Sequence, residues 1–165
     1  MEHIKTDGGR AAAGYTGDTG DCVTRAIAVA TGKPYQEVYD ALFEGSRNLR
    51  LLRERGKSPR NGVSRKVYDK YLKALGWAWY PTMAIGQGCK VHLCSDELPK
   101  GTLVVRVSKH LAAVIDGVLH DTHDCSRGGT RCVYGYYSET CDHLFCKSFS
   151  PYQGCKQKQK TPTSA

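Results

Sequence analysis

The pair Asp116-Gly117 stands between two apolar runs, Leu111-Ala112-Ala113-Val114-Ile115 and Val118-Leu119. Aspartate followed by glycine tolerates positive φ at both central turn positions, so the stretch predicts a two-residue hairpin. That turn implies a register. With Asp116 and Gly117 at the tip, Ile115 pairs with Val118, Ala113 with His120, Ala112 with Asp121, and His110 with His123. Opposite residues share a face and faces alternate along a strand. His110, Ala112 and Val114 therefore lie on one side together with Leu119, Asp121 and His123. Asp121 becomes the diagonal neighbour of His110, about 7 Å away between backbones and within side-chain reach. Asp116, farther along at about 3.4 Å per residue, is about 20 Å away and out of reach.

Other strands are expected around this hairpin. Thr102–Val107 follows the turn Leu98-Pro99-Lys100-Gly101, Trp77–Pro81 ends on a proline, and Val133–Tyr137 is a final strand. Continuous apolarity in the central runs predicts a sheet covered on both faces. Upstream the period is helical. Val23, Ala26, Ile27 and Ala30 form one apolar stripe, with Asp21 as N-cap and Gly32 as the left-handed stop. Pro34 opens a second helix carrying Tyr35, Val38, Tyr39 and Leu42, with Gly45 as its end. After Gly62 a third helix carries Val63, Val67, Tyr71 and Leu75 and stops at Gly76. Residues 1–19 read as a loop or arm. Helices first and an antiparallel sheet second make an α+β domain over residues 1–150, followed by a disordered basic tail over 151–165.

Apolar runs are too short for a transmembrane helix, and the N-terminus lacks the pattern of a signal peptide. A cytoplasmic chain without a membrane partner is expected. Its eight cysteines are then thiols, metal ligands or catalytic groups rather than disulfides. Cys132, Cys141, His143, Cys146 and Cys155 crowd the C-terminal part, but their spacings match no Cys-x-x-Cys zinc pair. His120, His123 and Cys125 also look like ligands, yet the hairpin register separates the two histidines across the sheet. No metal and no cofactor is expected. The formal net charge of +8 attracts acidic partners, nucleic acid among them. Arg47–Arg60 is the densest basic segment; as a solvated face it needs no ligand.

Cys22 lies in the first turn of the first helix, where unpaired N–H groups and the helix dipole favour a thiolate. The plainer reading is a small buried residue. His110 as a polar residue at the start of a strand, and Asp121 as a cap for the loop at Thr122, are equally plain. Together the three match what a thiol nucleophile needs: a base, and a carboxylate that orients the base.

The run Asp-Cys-Val-Thr-Arg-Ala-Ile-Ala at 21–28 and the later His110…Asp-Gly…His-Asp run resemble papain-like cysteine peptidases. They look most like the compact bacterial and phage members, and are similar to the double-glycine leader peptidases of bacteriocin exporters. The resemblance spans about residues 15–125. It implies a papain-like fold, with the nucleophile helix packed on the sheet. It also implies Cys22 as nucleophile, His110 as general base and Asp121 as orienter. Such enzymes usually carry a glutamine before the cysteine to donate to the oxyanion. Here the corresponding offset lands on Thr16, and no Gln or Asn precedes Cys22. Thr16 and Thr19 are the candidate oxyanion donors, and His123 is a competing base or substrate contact. A weaker oxyanion hole costs about 3 kcal/mol of transition-state stabilisation.

Two classes of function remain open. One is a thiol hydrolase acting on peptide or isopeptide bonds in a protein or peptide substrate, with transglutaminase or deamidase variants of the same chemistry. The other is a non-catalytic module on the same fold, binding nucleic acid or a nucleotide through Arg47–Arg60 and the Arg127/Arg131 loop.

Overall fold

The computed structural model describes residues 1–17, 19–48 and 58–140. The expected basic tail, the cysteine- and histidine-bearing run from 141 onward, and most of Arg47–Arg60 lie outside the described residues.

The architecture is α+β, with a mixed six-stranded sheet. The elements in chain order are β1 (His3–Lys5), α1 (Cys22–Thr31), α2 (Tyr35–Asn48), α3 (Arg65–Ala74) and β2 (Trp77–Pro81). Then follow β3 (Thr102–Val107), β4 (His110–Ile115), β5 (Val118–Asp121) and β6 (Val133–Glu139). A short 3-10 turn at Pro59–Asn61 precedes α3. Across the sheet the strands run β1-β5-β4-β3-β6-β2.

The hairpin has the register its turn implies: Ile115 faces Val118 and Ala113 faces His120. Asp116 and Gly117 take φ of 50° and 86°, the double positive φ that this turn demands. The expectation of a purely antiparallel sheet is corrected at one edge. β1, read as an unstructured arm, pairs parallel with β5, setting Lys5 opposite Asp121. Its apolar signal is a single isoleucine, too weak a pattern to mark an edge strand. Its backbone groups are nevertheless satisfied by β5.

Both sheet faces are buried, by different material. On one face α1, α2 and α3 enclose Ile27, Val38, Leu42, Leu72, Trp77, Val104 and Tyr137. On the other, the segment between β2 and β3 brings Leu93 and Leu98 against Leu103, Val105, Val114 and Leu119. α1 is buried more completely than one stripe predicts: Thr24, Arg25 and Ala28 are buried besides Val23, Ala26 and Ile27. Gly32 ends it at φ 66°. Gly45 does not end α2, which continues to Asn48. It is instead the point of closest approach to α3, where a Cβ would stand 3.0 Å from the Val67 side chain. The buried stripe of α3 is Val67, Tyr68 and Leu72, rotated slightly from the Val63/Tyr71/Leu75 row, which is only partly buried.

The expectation of thiols, metal ligands or catalytic groups rather than disulfides is corrected at Cys89 and Cys132, which form a disulfide with Cα atoms 5.7 Å apart. The isolated bridge between His92 and Cys132 brings the two segments side by side. Cys22, Cys94 and Cys125 are free. Among the described residues no helix is long and apolar enough to cross a membrane.

Candidate active site

Asp21, at the start of α1, does not cap the helix with its side chain. Its fully buried carboxylate accepts from Arg25 Nε at 2.9 Å and from the Tyr35 hydroxyl at 2.8 Å. A buried guanidinium must be matched by charge, and that need outranks capping a neutral N–H. Arg25 is only 6% exposed and reaches across to β5. Its Nη1 donates to Asp121 Oδ1 at 2.5 Å and to Thr122 Oγ1 at 3.1 Å. The other Asp121 oxygen, Oδ2, meets His110 Nε2 at 2.5 Å. The Asp121 main chain is held too, its carbonyl accepting from the Thr6 N–H and facing His3 Nε2, both at 3.0 Å. Asp121 also accepts from the Thr122 N–H at 2.7 Å, so the loop-capping reading and the histidine-orienting reading hold together.

With Nε2 turned to Asp121, Nδ1 is the His110 nitrogen left for a second partner. Burial by itself would push the Cys22 thiol up. Hydrogen bonds to His110 and to the Leu111 backbone, with the charges of His110 and Arg25, outweigh it and hold the thiol below the ordinary cysteine value. For His110, burial pulls down, but hydrogen bonds to Asp121, Cys125 and Cys22 and the charge of Asp121 push it up to about 11. Burial likewise works against an ionised Asp121, yet His110 and Arg25 hold its carboxyl well below the usual range. All three shifts favour a thiolate beside an imidazolium that is backed by a carboxylate.

Sheet geometry explains the meeting. Ala112, Val114 and Leu119, which share His110's face, belong to the core opposite the helices, whereas Cys22 packs with the helix-side core. His110 is the first residue of β4, and Lys109 before it turns at φ 56°. At that edge the sheet no longer divides the two sides, so the ring faces both Cys22 and, from the other core, the buried thiol of Cys125, within 4.8 Å.

The site opens into a groove of about 1330 Å³. Thr19, Gly20 and Cys22 form one wall, and His110, Leu111, Thr122 and His123 another. The Thr19 hydroxyl oxygen is buried without a hydrogen-bond partner among the described residues. Thr16 stands apart: it is exposed, it is not part of the groove wall, and its carbonyl accepts from Arg60. His123 is exposed at the rim, its ring 5.5 Å from that of His110.

His110, Asp121 and Cys125 offer ligand atoms within 4.8 Å of one another, a cluster that suits a cation by geometry. Its charge is already balanced, however, because Asp121 is bound on both oxygens and faces the Arg25 guanidinium. Two of the basic residues expected to hold nucleic acid are engaged within the chain. Arg131 donates to the Cys125 and Ser108 carbonyls, and Arg47 pairs with Glu44.

Sequence reasoning missed Arg25 and the orienting role of Asp21. Their signal was present: an arginine interrupts an otherwise apolar helix four residues after an aspartate. Cys125 was read only as a metal-ligand candidate. Compared with known proteins, the chain matches no family model, no curated protein and no solved structure.

Proposed function

We propose that the protein is a cysteine-dependent acyl hydrolase of papain-like fold, acting on peptide or isopeptide bonds. The observation that carries this reading is the hydrogen-bonded chain Arg25–Asp121–His110, with Cys22 on the His110 side of the same open groove and its thiol drawn down by that histidine. A structural cysteine needs neither a buried carboxylate behind its histidine nor an approach from solvent.

In this reading the Cys22 thiolate attacks the carbonyl carbon, forming a C–S bond as the carbonyl π pair moves onto oxygen. The Cys22 N–H donates to that oxygen, and the unpartnered Thr19 hydroxyl joins it once rotation of its side chain brings it out to the groove, the part usually given to a glutamine. As the tetrahedral species collapses, the C–N bond breaks and the His110 imidazolium gives its proton to the leaving amine. Water, deprotonated by the now neutral His110, attacks the thioester. The acid product leaves with the hydroxyl group, and thiolate and imidazolium are restored. Asp121 holds the ring by Nε2 throughout, and Arg25 keeps Asp121 ionised.

Alkylation by iodoacetamide at pH of about 6, mapped by mass spectrometry, tests the reading. Cys22 is expected to react well ahead of Cys94, which is also free and half-buried. Equal rates at the two cysteines would remove the nucleophile and favour the non-catalytic module.

A further inference from the structure

The groove around Cys22 is lined by cations far in excess of anions. Among the described residues Asp7 is the one carboxylate on its wall, and Asp7 is already occupied by the Gly9 and Ala11 N–H groups at 3.0 and 2.8 Å. Arg25 is matched by Asp21 and Asp121, and Arg10 lies 3.5 Å from Asp21. Lys5, Arg65, Arg106 and Lys109 also line the groove and have no ion-pair partner among the described residues.

Two of these four are fixed in place. The Arg65 guanidinium lies over the Trp79 ring at 4.8 Å, and that of Arg106 over Tyr134 at 5.5 Å. Stacking immobilises the plane of a guanidinium while leaving N–H groups at its edge, which suits a carboxylate taken side-on; Arg65 spends part of that edge on a hydrogen bond to the Tyr137 side chain. Tyr68 locates them relative to the nucleophile. Tyr68, Cys22, Arg65 and Arg106 line the same groove; burial raises the Tyr68 phenol, Arg106 and Arg65 draw it back, and Asp69 and Cys22 add to the rise. Lys5 ends β1 and Lys109 turns into β4, beside the histidine wall. The cations thus come from separate elements and converge on one site, unlike a solvated run along one helix.

We infer that the groove selects an acyl substrate with carboxylate side chains flanking the bond attacked, an acidic peptide. The inference rests on the thiol-hydrolase reading above. Arg65 and Arg106 engage one flank and Lys5 and Lys109 the other. A nucleic acid is the weaker fit. The arginines lie over one face of Trp79 and of Tyr134, and neither ring lines the groove, so the cations there are not interleaved with the bare aromatic platforms that favour single strands.

The test uses a matched pair of peptidyl chloromethyl ketones, one bearing glutamates and the other glutamines, in which the Cys22 thiolate displaces chloride to form a thioether. The glutamate probe is expected to alkylate Cys22 at least about tenfold faster, the scale of one charge-assisted hydrogen bond. The advantage is expected to shrink near 1 M salt, where the screening length is about 3 Å. The double variant Arg65→Gln/Arg106→Gln is expected to bring the ratio of rates toward one. Should that variant not fold, Lys5→Gln/Lys109→Gln, at two exposed positions, reads the other flank the same way. Lys33→Gln, whose partner is Glu37 on α2, is expected to leave the ratio unchanged. Equal rates for the two probes overturn the inference, and so does a ratio that survives both double variants. Protection of Cys22 by a single-stranded oligonucleotide, with none by a glutamate-rich peptide, also overturns it. If Cys22 reacts with iodoacetamide ahead of Cys94 in any of these cases, the hydrolase reading stands and only the specificity falls. If Cys22 does not, both fall.

Discussion

The two faces of the sheet are equally dry but are closed by different means. The helix face is covered by regular elements whose backbone groups bond within themselves, so its closing surface can afford a buried polar belt: Asp21, Arg25 and Tyr35 in register. The opposite face is covered by an irregular segment with few ladder bonds of its own. It is tied down by the Cys89–Cys132 disulfide, by the Leu93 N–H to Arg131 carbonyl bond and by the Val133 N–H to Val91 carbonyl bond. Each face sends one cysteine to His110. Cys22 arrives at a helix start with Arg25 behind it, whereas Cys125 arrives from a loop, fully buried. In the proposed reading reactivity belongs to the face that carries charge, and the structure puts covalent bracing on the face that lacks regular structure.

The sharpest way to break this contrast is to remove the group both faces share. His110→Ala is expected to lower acyl hydrolysis by about 10²- to 10⁴-fold, the usual worth of a general acid–base group. Cys22 alkylation in mild acid should fall to the Cys94 rate, as mapped by mass spectrometry. If Cys22 stayed fast, the helix start alone would be the activating feature.

Asp21→Ala strikes the charged belt without touching His110. It leaves the buried Arg25 short of a partner and is expected to cost about 3–5 kcal/mol in urea unfolding. A loss under about 1 kcal/mol would mean the belt is not tightly bound. Reducing the disulfide strikes the other face. A loss of about 2–4 kcal/mol in stability is expected, with the alkylation rate of Cys22 retained. A fall in that rate would show that the loop face also sets the site.

The pH dependence is the gentlest probe. His110 is raised from 6.5 to about 11, so its contribution to stability is complete below 6.5 and is lost as pH rises toward 11. Asp121 is lowered from 3.8, so its contribution is complete above 3.8 and is lost as pH falls below that. The pair therefore stabilises the fold most between about 4 and 6.5. Urea midpoints followed across pH should decline on the alkaline side, and His110→Leu should flatten that decline. An unchanged profile in the variant would detach the histidine from the effect.

How much was legible depended on how local the signal was. The turn at Asp116-Gly117 was readable because two dihedrals at two residues dictate the pairing of all that flank them, and the register gave the approach of Asp121 to His110. Gly32 was readable for the same reason. Gly45 was misread because a glycine's missing Cβ serves a neighbour as well as a turn, and the neighbour, Val67, is distant in sequence. β1 was invisible because its partner supplies most of its reason to be extended. Thr19 and Thr16 were indistinguishable as donors until the groove wall included one and not the other.

The chain's own order of residues determined the hairpin, the helix start beneath Cys22, and the shared face of His110 and Asp121, since each follows from backbone preferences over a few positions. Only the tertiary structure decided that this face meets the helix side at a strand end, that Arg25 turns inward to join two aspartates, and that cations from separate elements converge on one groove. Those outcomes depend on which surfaces exclude water together. Local preference cannot specify that, because the partners are separated by most of the chain.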